Sequence, residues 1–311
     1  MSTLRELVKL DLFEEFNDDE LYSLSKMVAI THIPADTIIC NEGDHGNEMY
    51  ILLSGCVDVF KDIGSDSEVL ARLGQGEMFG EMSILDDTTR NACVKSVEAS
   101  SALIFEKESL HLFLNENLNV AYRFFLLLGK CVNRRLRLLN LNFLFSQLTL
   151  EKLSEVNISQ NLGWAYSPVS FFDLLDNDDL DFLKGIGSVK EYATDEIVVD
   201  ENEVARDLFL VLEGSIKIIK LLPMGEEVQL VELRKGNLFG EMSFLDDGFR
   251  SARVKTNATT KLLALNRQCI ERNRKKDMLA VCKLFLVALQ NISHNIRLTT
   301  EIYNKARSAT N

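Results

Sequence analysis

Proline is nearly missing from this sequence. Pro34, Pro168 and Pro223 are the only three in 311 residues, which excludes a proline-rich linker or scaffold. Paired cysteines are missing too. Cys40, Cys56, Cys93, Cys131, Cys269 and Cys282 are scattered without a CxxC pair, and His32, His45, His111 and His294 are as widely dispersed. No metal-ligand spacing and no redox pair can be built from them, so no metal is expected. Unpaired thiols in a chain of this size point to a reducing compartment, with most of them acting as small buried hydrophobes. Long apolar runs are absent as well. A run such as that near Phe124–Leu128 falls far short of the roughly 20 residues that cross a bilayer. The N-terminus, Met1-Ser-Thr-Leu-Arg-Glu-Leu7, lacks the continuous apolar stretch of a signal peptide. The expectation is a soluble, cytoplasmic protein with no membrane partner.

Positive charge is in short supply. Lysine and arginine number 34 against 47 acidic side chains, a formal net charge of −13. An acidic surface repels phosphate backbones, so a nucleic-acid partner is not expected. The hydrophobic set at 46% and the charged set at 26% are ordinary for globular chains and argue against disorder. The length fits two domains.

What the sequence does contain is a duplication. Residues 79–96 read FGEMSILDDTTRNACVKS and residues 239–256 read FGEMSFLDDGFRSARVKT, with 12 of 18 positions identical at an offset of 160. Upstream the offset is 159: Tyr50-Ile-Leu-Leu-Ser-Gly55 lies against Phe209-Leu-Val-Leu-Glu-Gly214, and Ile33–Ile38 against Tyr192–Ile197. The change of offset predicts one extra residue between Gly214 and Glu241, in a hairpin turn. Repeats of this kind decide the architecture before any local reading does. Two copies of one domain are expected, the first over residues 1–156, the second over 171–311, with a linker at 157–170 that carries Gly163 and Pro168.

Each copy reads as helix, short strands, helix. Helical spacing covers Leu12–Val28 and its counterpart Phe171–Leu183. Short branched and aromatic segments follow at Thr37–Cys40, Tyr50–Leu53, Val57–Phe60, Val69–Leu73, Cys93–Val97 and Leu103–Phe105. Glycines punctuate them, as in a sandwich or barrel. The period then returns to helical: Val120, Phe124, Leu128, Val132, Leu136 and Leu139 form one stripe, and Arg123, Lys130, Arg134 and Arg137 another. From Lys275 to Arg307 there is no glycine or proline, and one long helix is expected.

The repeated FGE…R segment has a physical logic. Gly80 and Gly240 allow a tight turn where backbone approaches a ligand, and a short helix opening behind each would offer free N–H groups to an anion. Glu81 and Glu241 are acceptors suited to a sugar hydroxyl. Nine residues on, Arg90 and Arg250 are planar donor forks that fit a phosphate. Together these describe a ribose-phosphate pocket.

Both copies resemble cyclic nucleotide-binding domains, and the cassette pattern FGE-[LM]-[AS]-x…R-x-A-x-V carries the resemblance. It implies a mixed β and α fold: two jelly-roll-like β-rolls, each flanked by N-terminal and C-terminal helices. It implies a cyclic nucleotide, cAMP or cGMP, as ligand. Glu81 and Glu241 would accept the ribose 2′-hydroxyl, and Arg90 and Arg250 would pair with the cyclic phosphate. Gly80, Met82 and Ser83, with Gly240, Met242 and Ser243, would lend backbone amides. Ser251 follows the second arginine, as in binding-competent members, whereas Asn91 follows the first. The first copy keeps a family-like Glu42-Gly43-Asp44 turn, and the second has Glu201-Asn202-Glu203. The aspartate pairs Asp86–Asp87 and Asp246–Asp247 are expected on solvated turns.

The catabolite-activator branch of this family adds a helix-turn-helix, and the kinase-regulator branch an arginine-rich pseudosubstrate. Residues 267–311 read as one helix rather than two, and Arg5 stands alone before the first helix. Residues 267–311 carry nine basic side chains against three acidic ones, which packing beside acidic rolls explains. Phe124, Phe125, Trp164, Phe285 and Tyr303 could cap a base, with core the safer expectation for each. Met278, Val281, Phe285, Ala288 and Ile292 could make a homodimer seam. Three functions compete. The first is a sensor that passes nucleotide binding to a protein partner, and the second a ligand-free scaffold of two rolls. The third is an enzyme, for which no nucleophile cluster or P-loop offers a basis.

Overall fold

A computed structural model describes residues 2–63, 66–86, 88–145, 169–221 and 227–308. It separates into two compact units, Met1–Leu128 and Gly129–Asn311. In the first unit, helices Ser2–Val8 and Asp18–Met27 flank a 3-10 turn at Asp11–Phe13. Eight strands follow: β1 Ala29–Ile33, β2 Ile38–Cys40, β3 Glu48–Ser54, β4 Val57–Ile63, β5 Asp66–Leu73, β6 Met78–Phe79, β7 Cys93–Ser96 and β8 Ser100–Glu106. They form two four-stranded sheets, ordered β1-β8-β3-β6 and β2-β7-β4-β5, with every pairing antiparallel.

The second unit repeats this topology. Its strands are β9 Ser188–Tyr192, β10 Ile197–Val199, β11 Asp207–Glu213, β12 Ser215–Leu221, β13 Glu227–Arg234, β14 Leu238–Phe239, β15 Arg253–Thr256 and β16 Thr260–Asn266. The sheet orders β14-β11-β16-β9 and β10-β15-β12-β13 are the first roll's orders shifted by eight. Val57 pairs with Leu73 and its counterpart Ile216 with Leu233. The extra residue of the second copy therefore falls between β12 and β13, in segment 222–226, outside the described residues.

Each roll closes on a matching core. Leu52, Val57, Leu73, Val94 and Ala102 pack with the stacked rings of Tyr50 and Phe79. Val211, Ile216, Leu233, Val254 and Leu262 pack with those of Phe209 and Phe239. Ring centroids lie 4.8 Å and 4.9 Å apart in the two copies.

The helix expected over Leu12–Val28 begins later, at Asp18, and its counterpart begins at Asn177 rather than Phe171. Capping boxes explain both starts. The Asn17 and Asp176 side chains accept from the N3 amide, while Glu20 and Asp179 reach back to the cap. Both N3 carboxylates do a second job, taking Arg123 Nε at 3.1 Å and Lys283 Nζ at 2.7 Å. The first helix of each roll is thereby tied to the helix that follows the roll.

The connecting helix spans Leu118–Phe145 and the terminal helix Met278–Ser308. Helices Lys107–Glu116 and Arg267–Asn273 precede them and were not legible as separate elements. The linker expected at 157–170 lies outside the described residues except for Val169 and Ser170. Within the terminal helix, Met278–Thr300 is long and apolar enough by composition to cross a membrane, but 67% of its most apolar window is buried inside the chain. Of the five residues read as a possible homodimer seam, Val281, Phe285, Ala288 and Ile292 are fully buried within the chain and Met278 is half-buried. Two of the basic side chains nearby take intrachain partners: Arg267 donates to the Phe244 carbonyl, and Arg274 pairs with Glu271.

Candidate functional site

In each roll the repeated segment runs from a two-residue strand into a short helix, Glu81–Leu85 or Glu241–Asp246. The turn between them needs glycine. Gly80 and Gly240 have φ of +80° and +85°, and a Cβ on either would lie 2.4 Å from an arginine Nη1. Backbone and guanidinium are therefore in direct contact, which no other side chain permits.

Each arginine lies across the start of its cassette helix. Arg90 donates Nη1 to the Gly80 carbonyl (3.0 Å) and Ser83 Oγ (2.9 Å), and Nη2 to the Glu48 carbonyl (2.7 Å). Arg250 repeats the set with the Gly240 carbonyl (3.1 Å), Ser243 Oγ (2.8 Å) and the Asp207 carbonyl (2.7 Å). Its guanidinium also lies over the Phe209 ring, 5.6 Å from the centroid. The carbonyl of each glycine belongs to the peptide that carries Glu81 or Glu241, so guanidinium and glutamate converge on one turn.

All four charged groups are buried: Glu81 and Arg90 in the first roll, Glu241 and Arg250 in the second. Buried charges are rare unless they have partners or work. Burial pushes the Glu241 carboxyl above its ordinary pKa, against backbone N–H groups and Arg250, which pull it down. Burial lowers the pKa of Arg250, while Asp207, Glu241 and Glu203 oppose that shift. A direct ion pair between Glu241 and Arg250 is not among the described contacts, although the two feel each other electrostatically.

The two sites differ. Gly46 abuts Arg90: a Cβ there would meet Nε at 2.3 Å and Ser83 Oγ at 2.6 Å. The repeat puts Ala205 at the corresponding place in the second roll. Arg250 Nε is buried there with no hydrogen-bond partner among the described residues. Ser251 Oγ turns back to Met242 Sδ at 3.4 Å, while Asn91 is half-buried.

Several groups around the second site had no signal in the motif. The terminal helix brings Asn295 Nδ2 to 3.5 Å from Glu241 Oε1. Asn133 of the connecting helix donates to the Met242 carbonyl at 2.8 Å. Asp246, expected on a solvated turn, is instead held by both arms of the Arg137 fork, and Asp247 pairs with Arg206 at 3.1 Å. Each of these acids therefore has a guanidinium beside it. In the first roll Asp86 accepts from Thr88, and Asp87 lies outside the described residues. Of the possible base caps, Phe124, Phe125 and Phe285 are buried. Phe124 packs on Phe105 and Phe285 on Phe244, as core. Trp164 and the Tyr303 side chain lie outside what is described.

The family profile of the cyclic nucleotide-binding domain matches residues 30–117 and again 189–277, more than half of the chain. A cAMP-dependent protein kinase regulatory subunit from Blastocladiella emersonii is 21% identical over 262 residues, 84% of this chain and 56% of that one. A cGMP-dependent protein kinase from Eimeria tenella is 22% identical over 274 residues, 88% of this chain and 23% of that one. The chain thus spans about half the length of the first relative and a quarter of the second. Among solved structures, the regulatory domain of Toxoplasma gondii PKA with cAMP is 20% identical. That alignment covers 91% of this chain and 93% of that one at a TM-score of 0.34. With two matched copies, each holding a buried glutamate and arginine on one glycine turn, the chain belongs to the cyclic nucleotide-binding domain family.

Proposed function

We propose that the chain is a cyclic nucleotide sensor with a site in each roll. Its preferred ligand is cAMP, and its output is a change in helix packing read by a protein partner. The observation that carries this reading is the buried Arg250, whose Nε has no acceptor among the described residues although three carbonyl or hydroxyl oxygens take its other N–H groups. An anionic oxygen delivered by a ligand satisfies that donor, and the ribose hydroxyl of the same ligand satisfies Glu241. Output follows if the ligand prefers one arrangement of the terminal helix, because Asn295 on that helix already reaches Glu241. The six free thiols support a cytoplasmic setting.

A scaffold of two ligand-free rolls is the competing reading. What favours it is that Arg90 and Arg250 each already donate to three protein oxygens. Calorimetric titration of the full chain with cAMP and, separately, cGMP distinguishes them. The sensor reading expects saturable binding that approaches two molecules per chain, with cAMP the tighter ligand. No heat and no displacement of labelled nucleotide by either compound would leave the scaffold.

Glu241→Gln tests the carboxylate independently. A carboxyl whose pKa is raised in the folded state takes up protons on folding, so stability falls as pH rises from the unfolded toward the folded value and stays lower above it. The variant lacks that loss. It is expected to melt higher than the parent near neutral pH and to show a flatter dependence of melting temperature on pH. Its cAMP affinity is expected to fall about tenfold, because a neutral amide accepts a hydroxyl proton less strongly than a carboxylate. A melting curve that tracks the parent at every pH would contradict the burial argument.

A further inference from the structure

The fold ties the second cassette to a residue far from it in sequence. Arg137, on the connecting helix, donates Nε to Asp246 Oδ2 at 2.6 Å and Nη2 to Asp246 Oδ1 at 2.9 Å. Its third arm, Nη1, reaches the Phe249 carbonyl at 3.1 Å. Asp246 ends the cassette helix and Phe249 immediately precedes Arg250. One planar fork therefore holds both ends of the four-residue path between the cassette helix and the phosphate arginine.

That path is not relaxed. Asp247 sits at φ +59°, a left-handed conformation that costs a non-glycine residue energy. Asp246 Oδ1 also accepts the Gly248 N–H at 2.9 Å, so the carboxylate that Arg137 grips shapes the turn itself. Gly248 makes room for the grip: a Cβ there would meet Arg137 Nη2 at 2.5 Å. The duplication supplies an internal comparison, because the first copy carries Thr88 at the corresponding position. One turn up the same helix, Asn133 holds the Met242 carbonyl, and Gly129 leaves room for Leu245, whose side chain a Cβ there would meet at 3.2 Å. The helix meets the cassette at Met242, Leu245, Asp246 and Phe249 together.

We propose that Arg137 is a positioning residue for the second nucleotide site. It sets the conformation of residues 246–250 and thereby the aim of Arg250, so nucleotide affinity at that site is regulated by how the connecting helix is seated. The proposal rests on the reading of Arg250 as the phosphate ligand. It goes beyond that reading by assigning control to a side chain that touches no nucleotide. Seating the helix strengthens binding, and nucleotide, by reciprocity, strengthens the seating.

The test is a cAMP titration of the full chain in an Arg90→Ala background, with thermal melting of every variant with and without ligand. Arg250→Ala in that background serves as the control for the underlying reading and is expected to remove binding. Arg137→Ala is expected to weaken cAMP binding by at least about fivefold, within the range usual for coupling between distinct groups. Asp246→Ala is expected to give a comparable loss, and the two together little more than either alone. Arg137→Lys, which keeps the charge and loses the fork, is expected to recover only part of the affinity. Gly248→Ala reaches the same interaction without removing either charge and is expected to weaken binding in the same direction. A drop in the ligand-free melting temperature with affinity unchanged would make Arg137 merely structural and overturn the proposal. Additive losses in the double variant would overturn it as well. Unchanged binding in the Arg250→Ala control would instead overturn the site assignment on which it rests.

Discussion

Replacing Arg250 by alanine is expected to cause the largest loss of cAMP binding at the second site, matched only by a substitution that displaces its guanidinium. Hydrogen bonds to a charged partner contribute about 1.5–3 kcal/mol each. Losing one lowers affinity at least about tenfold, and losing two lowers it by about a hundredfold or more. The variant also takes one donor from each of the Gly240 and Asp207 carbonyls and Ser243 Oγ, and removes the cation that pulls the Glu241 pKa down. Stability therefore falls with affinity, although Glu241 can limit the damage by holding a proton. Arg250→Lys keeps the charge and is the variant to use if alanine does not fold. Lysine offers a compact ammonium where the site is built around a fork, and an intermediate loss is expected. Calorimetry that returns the parent affinity for both variants would overturn the assignment. Arg90→Ala in the same titration reports on the first roll, where unaltered stoichiometry would mean that the first pocket takes no nucleotide.

Gly240→Ala is the second large effect, and its cause is steric. At φ +85° an L side chain costs about 1–2 kcal/mol on conformational grounds alone. The new methyl would lie 2.4 Å from Arg250 Nη1 and 2.8 Å from the Asp207 carbonyl. The guanidinium has to leave, and its three hydrogen bonds leave with it. We expect both a clear drop in melting temperature and loss of second-site binding comparable with Arg250→Ala. Gly74→Ala is the matched control, because nothing lies within 4 Å of its Cβ position and its φ is not left-handed. That variant is expected to be neutral or slightly stabilising, by about 0.4–1 kcal/mol. A Gly240→Ala protein that binds cAMP like the parent would show that the turn does not position the arginine.

The residues behind these effects are partly legible in the sequence. Twelve identities in 18 positions set the cassettes side by side, and glycine, glutamate and arginine kept one spacing in both. The strand segments were visible because alternation is local. Strands β1, β6, β9 and β14 escaped notice. They are two to five residues long, and β9 is largely exposed while β6 and β14 are wholly buried. None of them alternates long enough to announce itself. Helix starts were misplaced by several residues because hydrophobic spacing runs on through the 3-10 turns, whereas the chain obeys the caps at Asn17 and Asp176. The apolar stripe of the terminal helix has a related limit. A stripe at 3-4 spacing says that one face is apolar, and it does not say which surface will cover it.

By itself the sequence determined that two copies of one β-roll are present, and which glycine, glutamate and arginine in each could meet a ribose-phosphate. Repetition, turn chemistry and residue type are properties of short segments, and short segments are readable one at a time. The tertiary structure alone decided what holds those residues. It chose the Glu48 and Asp207 carbonyls as acceptors for the arginines, Asn295 as the neighbour of Glu241, and Arg137 as the grip on Asp246 from 109 positions away. Such partners are selected by which surfaces close on each other when apolar area is buried. Nothing local in an arginine on a polar helix stripe distinguishes a solvated side chain from one that shapes a distant loop.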